Sequence, residues 1–151
     1  MRADIRRWSA GAALLCLAVL GGCEASGTAP GGVPGDAGDT QPFAGIAANE
    51  AVNAAGTEPF WNLRVENGTL TYAAPENMDG EAIGVERFAG RGGLSFSGMI
   101  GERTLDLAIT PGTCNDGMSD RTYPFHATLA LGDEQRSGCA WRDSDDLGPP
   151  P

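Results

Sequence analysis

WNLRVENGTLTYA, residues 61–73, is the stretch whose reading decides the fold. Trp61, Leu63 and Val65 alternate with Asn62, Arg64 and Glu66, the period of two that a half-buried strand requires. Asn67-Gly68 then supplies the two residues that tolerate the positive φ of a type I′ turn, and Thr69–Ala73 returns as the partner strand. Nothing else in the chain signals a hairpin so strongly.

The same alternation continues downstream. Ala74–Glu81 (APENMDGE) reads as a loop and Ala82–Phe88 as a strand, with AGRGG turning the chain. Leu94, Phe96 and Gly98 mark a strand ending near Ile100. After the Gly101-Glu102 turn, Arg103–Thr110 repeats the pattern until Pro111-Gly112 ends it. Tyr123, Phe125, Ala127, Leu129 and Leu131 share a face, Gly132-Asp133 turns, and Gln135–Arg142 is the last strand. About seven short strands joined by tight turns predict an all-β domain that must close or pack on itself to avoid bare edges, a small antiparallel barrel or barrel-like sandwich. Arg64, Asp106, His126 and Thr128 fall on its solvent face. Trp61, Tyr123 and Trp141 form either its core or a ligand platform.

Upstream, Phe43, Ile46, Ala47 and Ala54 fit a weak helical stripe, so residues 43–56 are expected to form a short helix at the start of a β domain spanning 43–143. Residues 23–42 are almost wholly Gly, Ala, Pro, Ser, Thr and Asp and predict a disordered tether with a span of roughly 25 Å. Residues 144–151, DLGPPP preceded by Ser144 and Asp145, predict an unstructured tail.

Residues 1–22 combine Arg2, Arg6 and Arg7 with an apolar run from Ala10 to Leu20, too short to span a bilayer as a helix, and read as a signal peptide. Leu20-Gly21-Gly22-Cys23 resembles the bacterial lipobox, which implies a mature N-terminus at a lipidated Cys23. Glu24, where an aspartate would favour inner-membrane retention, implies the outer membrane by the same resemblance. Two or more acyl chains anchor stably, at roughly 0.8 kcal/mol per buried methylene. With Cys16 removed and Cys23 lipidated, Cys114 and Cys139 remain in an oxidising compartment and are expected to pair; a metal or redox thiol pair lacks the CxxC spacing and an adjacent histidine.

From Cys23 onward the chain carries 19 acidic side chains against 7 basic ones, all arginine. Such a surface disfavours nucleic acid and anionic headgroups and leaves either a cationic or neutral partner, or solubility alone, as the meaning of the charge. The absence of lysine excludes a Walker-type phosphate loop at Gly90-Arg91-Gly92-Gly93.

Between the paired cysteines lies CNDGMSDRTYP, residues 114–124. Asn115, Asp116, Ser119 and Asp120 could hold calcium, but the 1-3-5 oxygen alternation and the closing glutamate of an EF-hand loop are missing. The structural reading has Asp116-Gly117 forming a turn, Ser119 or Asp120 bonding backbone amides, and Arg121 pairing with a carboxylate such as Glu58. His126 is the only histidine, so a Ser-His-Asp triad would have to join it to Ser119, Ser95 or Ser97 and to Asp106 or Asp120; no GxSxG elbow is present.

GTEPFW (56–61), CNDGMSDRTYPF (114–125) and LGDEQRSGCA (131–140) together resemble a family of small bacterial envelope lipoproteins with the pattern GxEPxW, CxDGMSDxxYP and a terminal GC. The resemblance covers about 90 residues. It implies a β-rich, periplasm-facing domain with a distant likeness in context to META-type and C-type lysozyme inhibitor modules, and no reaction. The expectation is a non-enzymatic, cofactor-free binding module, membrane-attached through its lipid, whose loop Asn115, Asp116, Ser119, Asp120 and Arg121 engages a basic periplasmic protein such as lysozyme. The alternative is a structural or small-ligand-binding lipoprotein.

Overall fold

The computed structural model describes residues 40–148; the expected signal peptide, the expected lipidation site Cys23, nearly all of the expected tether and the last three residues lie outside the described residues. Eight strands form the barrel: β1 Val52–Thr57, β2 Phe60–Glu66, β3 Thr69–Ala74, β4 Asn77–Ala89, β5 Leu94–Ile100, β6 Arg103–Cys114, β7 Tyr123–Leu131 and β8 Glu134–Arg142. Each pairs antiparallel with the next, and β8 returns to β1, closing the barrel.

The hairpin read from Asn67-Gly68 is present, with φ of 50° and 76° at the two turn residues and Glu66 facing Thr69. Val65 and Leu70, Leu63 and Tyr72 face each other inside the barrel.

The expected helix over 43–56 is not formed. Residues 52–57 are instead β1, a strand beyond the seven expected, with Val52, Ala54 and Gly56 facing inward, and residues 43–51 are turns and bends. Small side chains are demanded there because the Trp61 indole occupies the space. A Cβ on Gly56 would lie 2.3 Å from Trp61 Nε1, and one on Gly138, on the facing part of β8, would lie 2.1 Å from the Ala55 carbonyl oxygen. Two strands also run past their expected ends. β4 begins at Asn77, inside the stretch read as a loop, and β6 continues through Pro111-Gly112 to Cys114 by way of a bulge.

The lumen is filled. Trp61, Leu70, Leu105, Leu107, Ile109 and Leu129 are fully buried, and no polar or charged residue is buried as a whole among the described residues. Arg136 points inward, donating to the Tyr72 hydroxyl at 2.7 Å and pairing with Glu134. Its Nε and Trp61 Nε1 are buried donors without a protein partner.

β4 is the staggered strand of the barrel. Up to Gly84 it pairs with β3, and from Val85 onward with β5. The gap this leaves beside its second half is closed by residues 43–50. Ile46 is buried there, its carbonyl accepts from Arg87, Phe43 donates its N–H to Gly90, and the Phe43 ring meets Phe125 edge-on at 6.3 Å.

An up-and-down barrel has two poles. The turns β1–β2, β3–β4, β5–β6 and β7–β8 sit at one; the turns β2–β3 and β4–β5, the β6–β7 loop and both chain ends sit at the other. The tail expected to be unstructured is held through residue 148. Asp143 receives Arg64 and Asn53, Asp145 receives the Arg142 guanidinium and backbone N–H, and Ser144 bonds Glu50.

Candidate functional site

Cys114 ends β6 opposite Tyr123 of β7, and Cys139 lies on β8 opposite His126. The two half-cystines are therefore two strands apart, and the end of β6 folds across the outer face of β7 to bring their Cα atoms to 5.6 Å. The disulfide is present as expected. Around it, Tyr123 and the partly buried Trp141 and Leu147 make a second apolar cluster outside the barrel, with the Tyr123 and Trp141 rings 5.1 Å apart. Of the three aromatics considered together, only Trp61 belongs to the lumen.

The five loop residues fall together, and most of their bonding capacity is turned on one another. Asn115 Oδ1 accepts the Gly117 N–H at 2.7 Å, and its amide donates to the Ser119 and Arg121 carbonyls. Asp116 Oδ1 accepts the N–H groups of Met118 and Ser119 at 3.0 and 2.8 Å. Its Oδ2 accepts the Ser119 and Tyr123 hydroxyls at 2.9 and 3.0 Å. Ser119 Oγ in turn accepts the Arg121 N–H. The two backbone donors, followed by the hydroxyls, hold the Asp116 carboxyl well below the usual aspartate range, at about 2. Arg121, expected to meet a carboxylate such as Glu58, donates to the Gly148 carbonyl. Asp120 and Met118 are exposed, Met118 at 78 %.

This geometry is that of a clasp. A calcium ion would have to displace donors from both oxygens of Asp116, and no three His, Cys, Asp or Glu side chains converge as a metal site among the described residues. The triad geometry is likewise not assembled. Ser97 Oγ donates to Asp106 at 2.6 Å on the outer wall, but Asp106 faces Ala130 whereas His126 faces Thr110, four residues along, roughly 13 Å at a strand's rise. Ser119 is bonded to Asp116.

Beside the clasp lies a shallow groove of about 270 Å³ bordered by Thr57, Asn115, Asp116, His126 and Ser137. Tyr123 is the clasp residue that sequence reasoning placed elsewhere: an inward position on β7 looked like core, and only the fold-back of β6 puts its hydroxyl against Asp116. No helix among the described residues is long and apolar enough to cross a membrane.

At the pole of the β1–β2, β3–β4, β5–β6 and β7–β8 turns a different chemistry collects. Glu58, Glu76, Asp79, Glu81, Glu102 and Asp133 are exposed and take part in none of the ion pairs formed among the described residues. Those pairs instead engage Arg64, Arg136 and Arg142. Phe60 and Met78 are exposed on the same turns.

Comparison with protein-family models, with curated proteins and with solved structures found no match to this chain.

Proposed function

We propose that this chain is a lipid-anchored, periplasm-facing binding module whose partner is a cationic envelope protein, a basic hydrolase such as lysozyme being the type. The signal peptide and the Leu20-Gly21-Gly22-Cys23 match support the anchoring. The side chains that fill the lumen leave the outer surface for recognition. The observation that carries the reading is the pole of exposed carboxylates outside the ion pairs formed among the described residues, because such groups raise the encounter rate of an oppositely charged protein and pay no cost of breaking those pairs. The loop from Asn115 to Arg121 serves this module as scaffold, its Asp116 carboxylate already engaged by two backbone N–H groups and two hydroxyls.

The test is capture from an envelope extract on the immobilised full chain at low and high salt. Basic proteins are retained at low ionic strength and released as the Debye length falls from about 30 Å at 0.01 M to about 8 Å at 0.15 M. Failure to retain any basic protein at low salt, or retention indifferent to salt, overturns the reading. The groove beside His126 favours a second reading, a lipoprotein that holds a small polar ligand; shifts confined to the His126 and Ser137 resonances on adding small-molecule extract would select it.

A further inference from the structure

Closing a barrel removes edges only where every strand has a neighbour on both sides. β4 does not. β5 takes it up only from Val85, opposite Gly98, although β5 runs on through Met99 and Ile100. Residues Glu81–Gly84 pair with Tyr72–Thr69 of β3 on one side and with no strand on the other. The backbone direction follows from one bond. Val85 donates its N–H to Gly68 on the β3 side, so by the two-residue alternation of an antiparallel ladder the polar groups of Gly84 and Ala82 turn the other way; the Gly84 carbonyl meets the end of β5, 2.8 Å from where a Gly98 Cβ would stand, and the polar groups of Ala82 turn into the gap. Ala82 is exposed. The matching gap at the other pole is covered by the buried Ile46; on this side no described strand pairs with Ala82.

We infer that the Glu81–Gly84 edge of β4 is a docking site at which an extended, positively charged segment of the partner protein adds as a further strand. Strand addition takes its affinity from main-chain bonds and its selectivity from flanking side chains. The flanks here are Asp79, Glu81, Glu86 and Glu102, exposed and in no ion pair among the described residues, together with the exposed Met78 and Met99. These carboxylates decide the occupant. A second copy would set Glu81 and Glu86 against a chain of net charge -10. Residues 23–39 of the same chain carry Glu24, Asp36, Asp39 and two prolines, with no basic group. A lysine- or arginine-bearing strand satisfies both the backbone and the charges. The inference rests on the cationic-partner reading and adds to it the surface and the mode.

The probe is a fluorescein-labelled peptide Lys-Val-Lys-Val-Lys-Thr-Lys, with two controls: the same peptide N-methylated at alternate residues, and its glutamate counterpart. Binding to the full chain is read by anisotropy and by hydrogen exchange at the Ala82 amide. The lysine peptide is expected to bind saturably and to slow exchange at Ala82. The N-methylated and glutamate peptides, and the variant Ala82→Pro with the lysine peptide, should bind at least tenfold more weakly. Ala82→Pro removes a donor that points away from β3, so its melting temperature should stay within a few degrees; the N-methylated peptide makes the same test on the unaltered protein. Equal binding of the lysine and N-methylated peptides overturns strand addition, as does dimer formation that protects Ala82 without peptide. No peptide binding by a chain that still retains basic proteins at low salt refutes this site and leaves the cationic-partner reading standing; loss of both refutes both.

Discussion

Replacing Asp116 with alanine removes the acceptor on which the β6–β7 loop converges: two backbone N–H groups and two hydroxyls lose their common partner. Hydrogen bonds to a charged group contribute about 1.5 to 3 kcal/mol each when shielded, but this loop is half-exposed and its amides can turn to water, so the four together are worth roughly 2 to 3 kcal/mol rather than their sum. For a domain of this size that is a fall of roughly 10 to 20 °C in melting temperature. Asp116→Asn keeps one oxygen and should lose about half, and Tyr123→Phe, which removes one donor, about 0.5 to 1.5 kcal/mol. The pH dependence carries the sign. Because the folded carboxyl titrates at about 2, below its unfolded value, the unfolded chain binds more protons between those two values. The stabilisation is whole above the unfolded value and is lost as pH falls toward 2. Urea melts of the unaltered protein and Asp116→Asn at neutral pH, pH 4 and pH 2.5 should therefore show a gap that narrows with acid. An Asp116→Ala protein that melts within 2 °C of the unaltered one, with its disulfide intact, refutes the clasp.

Changing Cys114 and Cys139 together to serine opens a loop whose ends are 25 residues apart in sequence and should cost about 2 to 5 kcal/mol in chemical denaturation; thiol titration of the unaltered native domain should find neither cysteine free. Gly138→Ala places a Cβ 2.1 Å from the Ala55 carbonyl oxygen and 2.8 Å from the Trp61 ring, so the variant should lose several times the stability lost by Gly68→Ala, whose Cβ meets open space and whose cost is the strain of a positive φ alone. Cys23→Ala should accumulate as uncleaved precursor or lack the lipid-modified mature form, read by mass spectrometry of the N-terminus; normal lipidation in that variant ends the lipobox assignment.

Much of the barrel was legible because its strands obey one local rule, alternation, and its turns carry glycine where φ is positive. β1 was not. VNAAGT has an inward face of Val52, Ala54 and Gly56, and alanine and glycine give the same faint signal in a helix as in a strand; the reason for their size, the Trp61 indole, sits on another strand. β4 was read five residues short at its start and one at its end, since Asn77 to Gly80 holds turn residues at a bulge. The tail defeated composition for a similar reason: Asp143 and Asp145 look like disordered acid until Arg64 and Arg142 meet them, and the Arg64 guanidinium, then Asn53, draw the Asp143 carboxyl down to about 2. In the loop, residues 114–121 announced that polar groups would need partners. That the partners are mostly one another, and that Tyr123 is among them, follows from the fold-back of β6, which no local pattern encodes.

The even number of strands has a directional consequence. Both chain ends leave from one pole, and residues 43–50 pin the first of them there against the barrel. If Cys23 is lipidated as proposed, the membrane pulls on the pole of the pinned segment, and the four hairpin tips become the far side of the molecule. A protein diffusing through the surrounding compartment would then meet the exposed carboxylates and the open half of β4 first, while the β6–β7 loop, bonded to the Gly148 carbonyl of the tail, lies on the side of the chain ends. Attaching the chain through its C-terminus would not reverse this, since β8 ends at the same pole; only a permuted chain opened at the β1–β2, β3–β4, β5–β6 or β7–β8 turn would turn the barrel over.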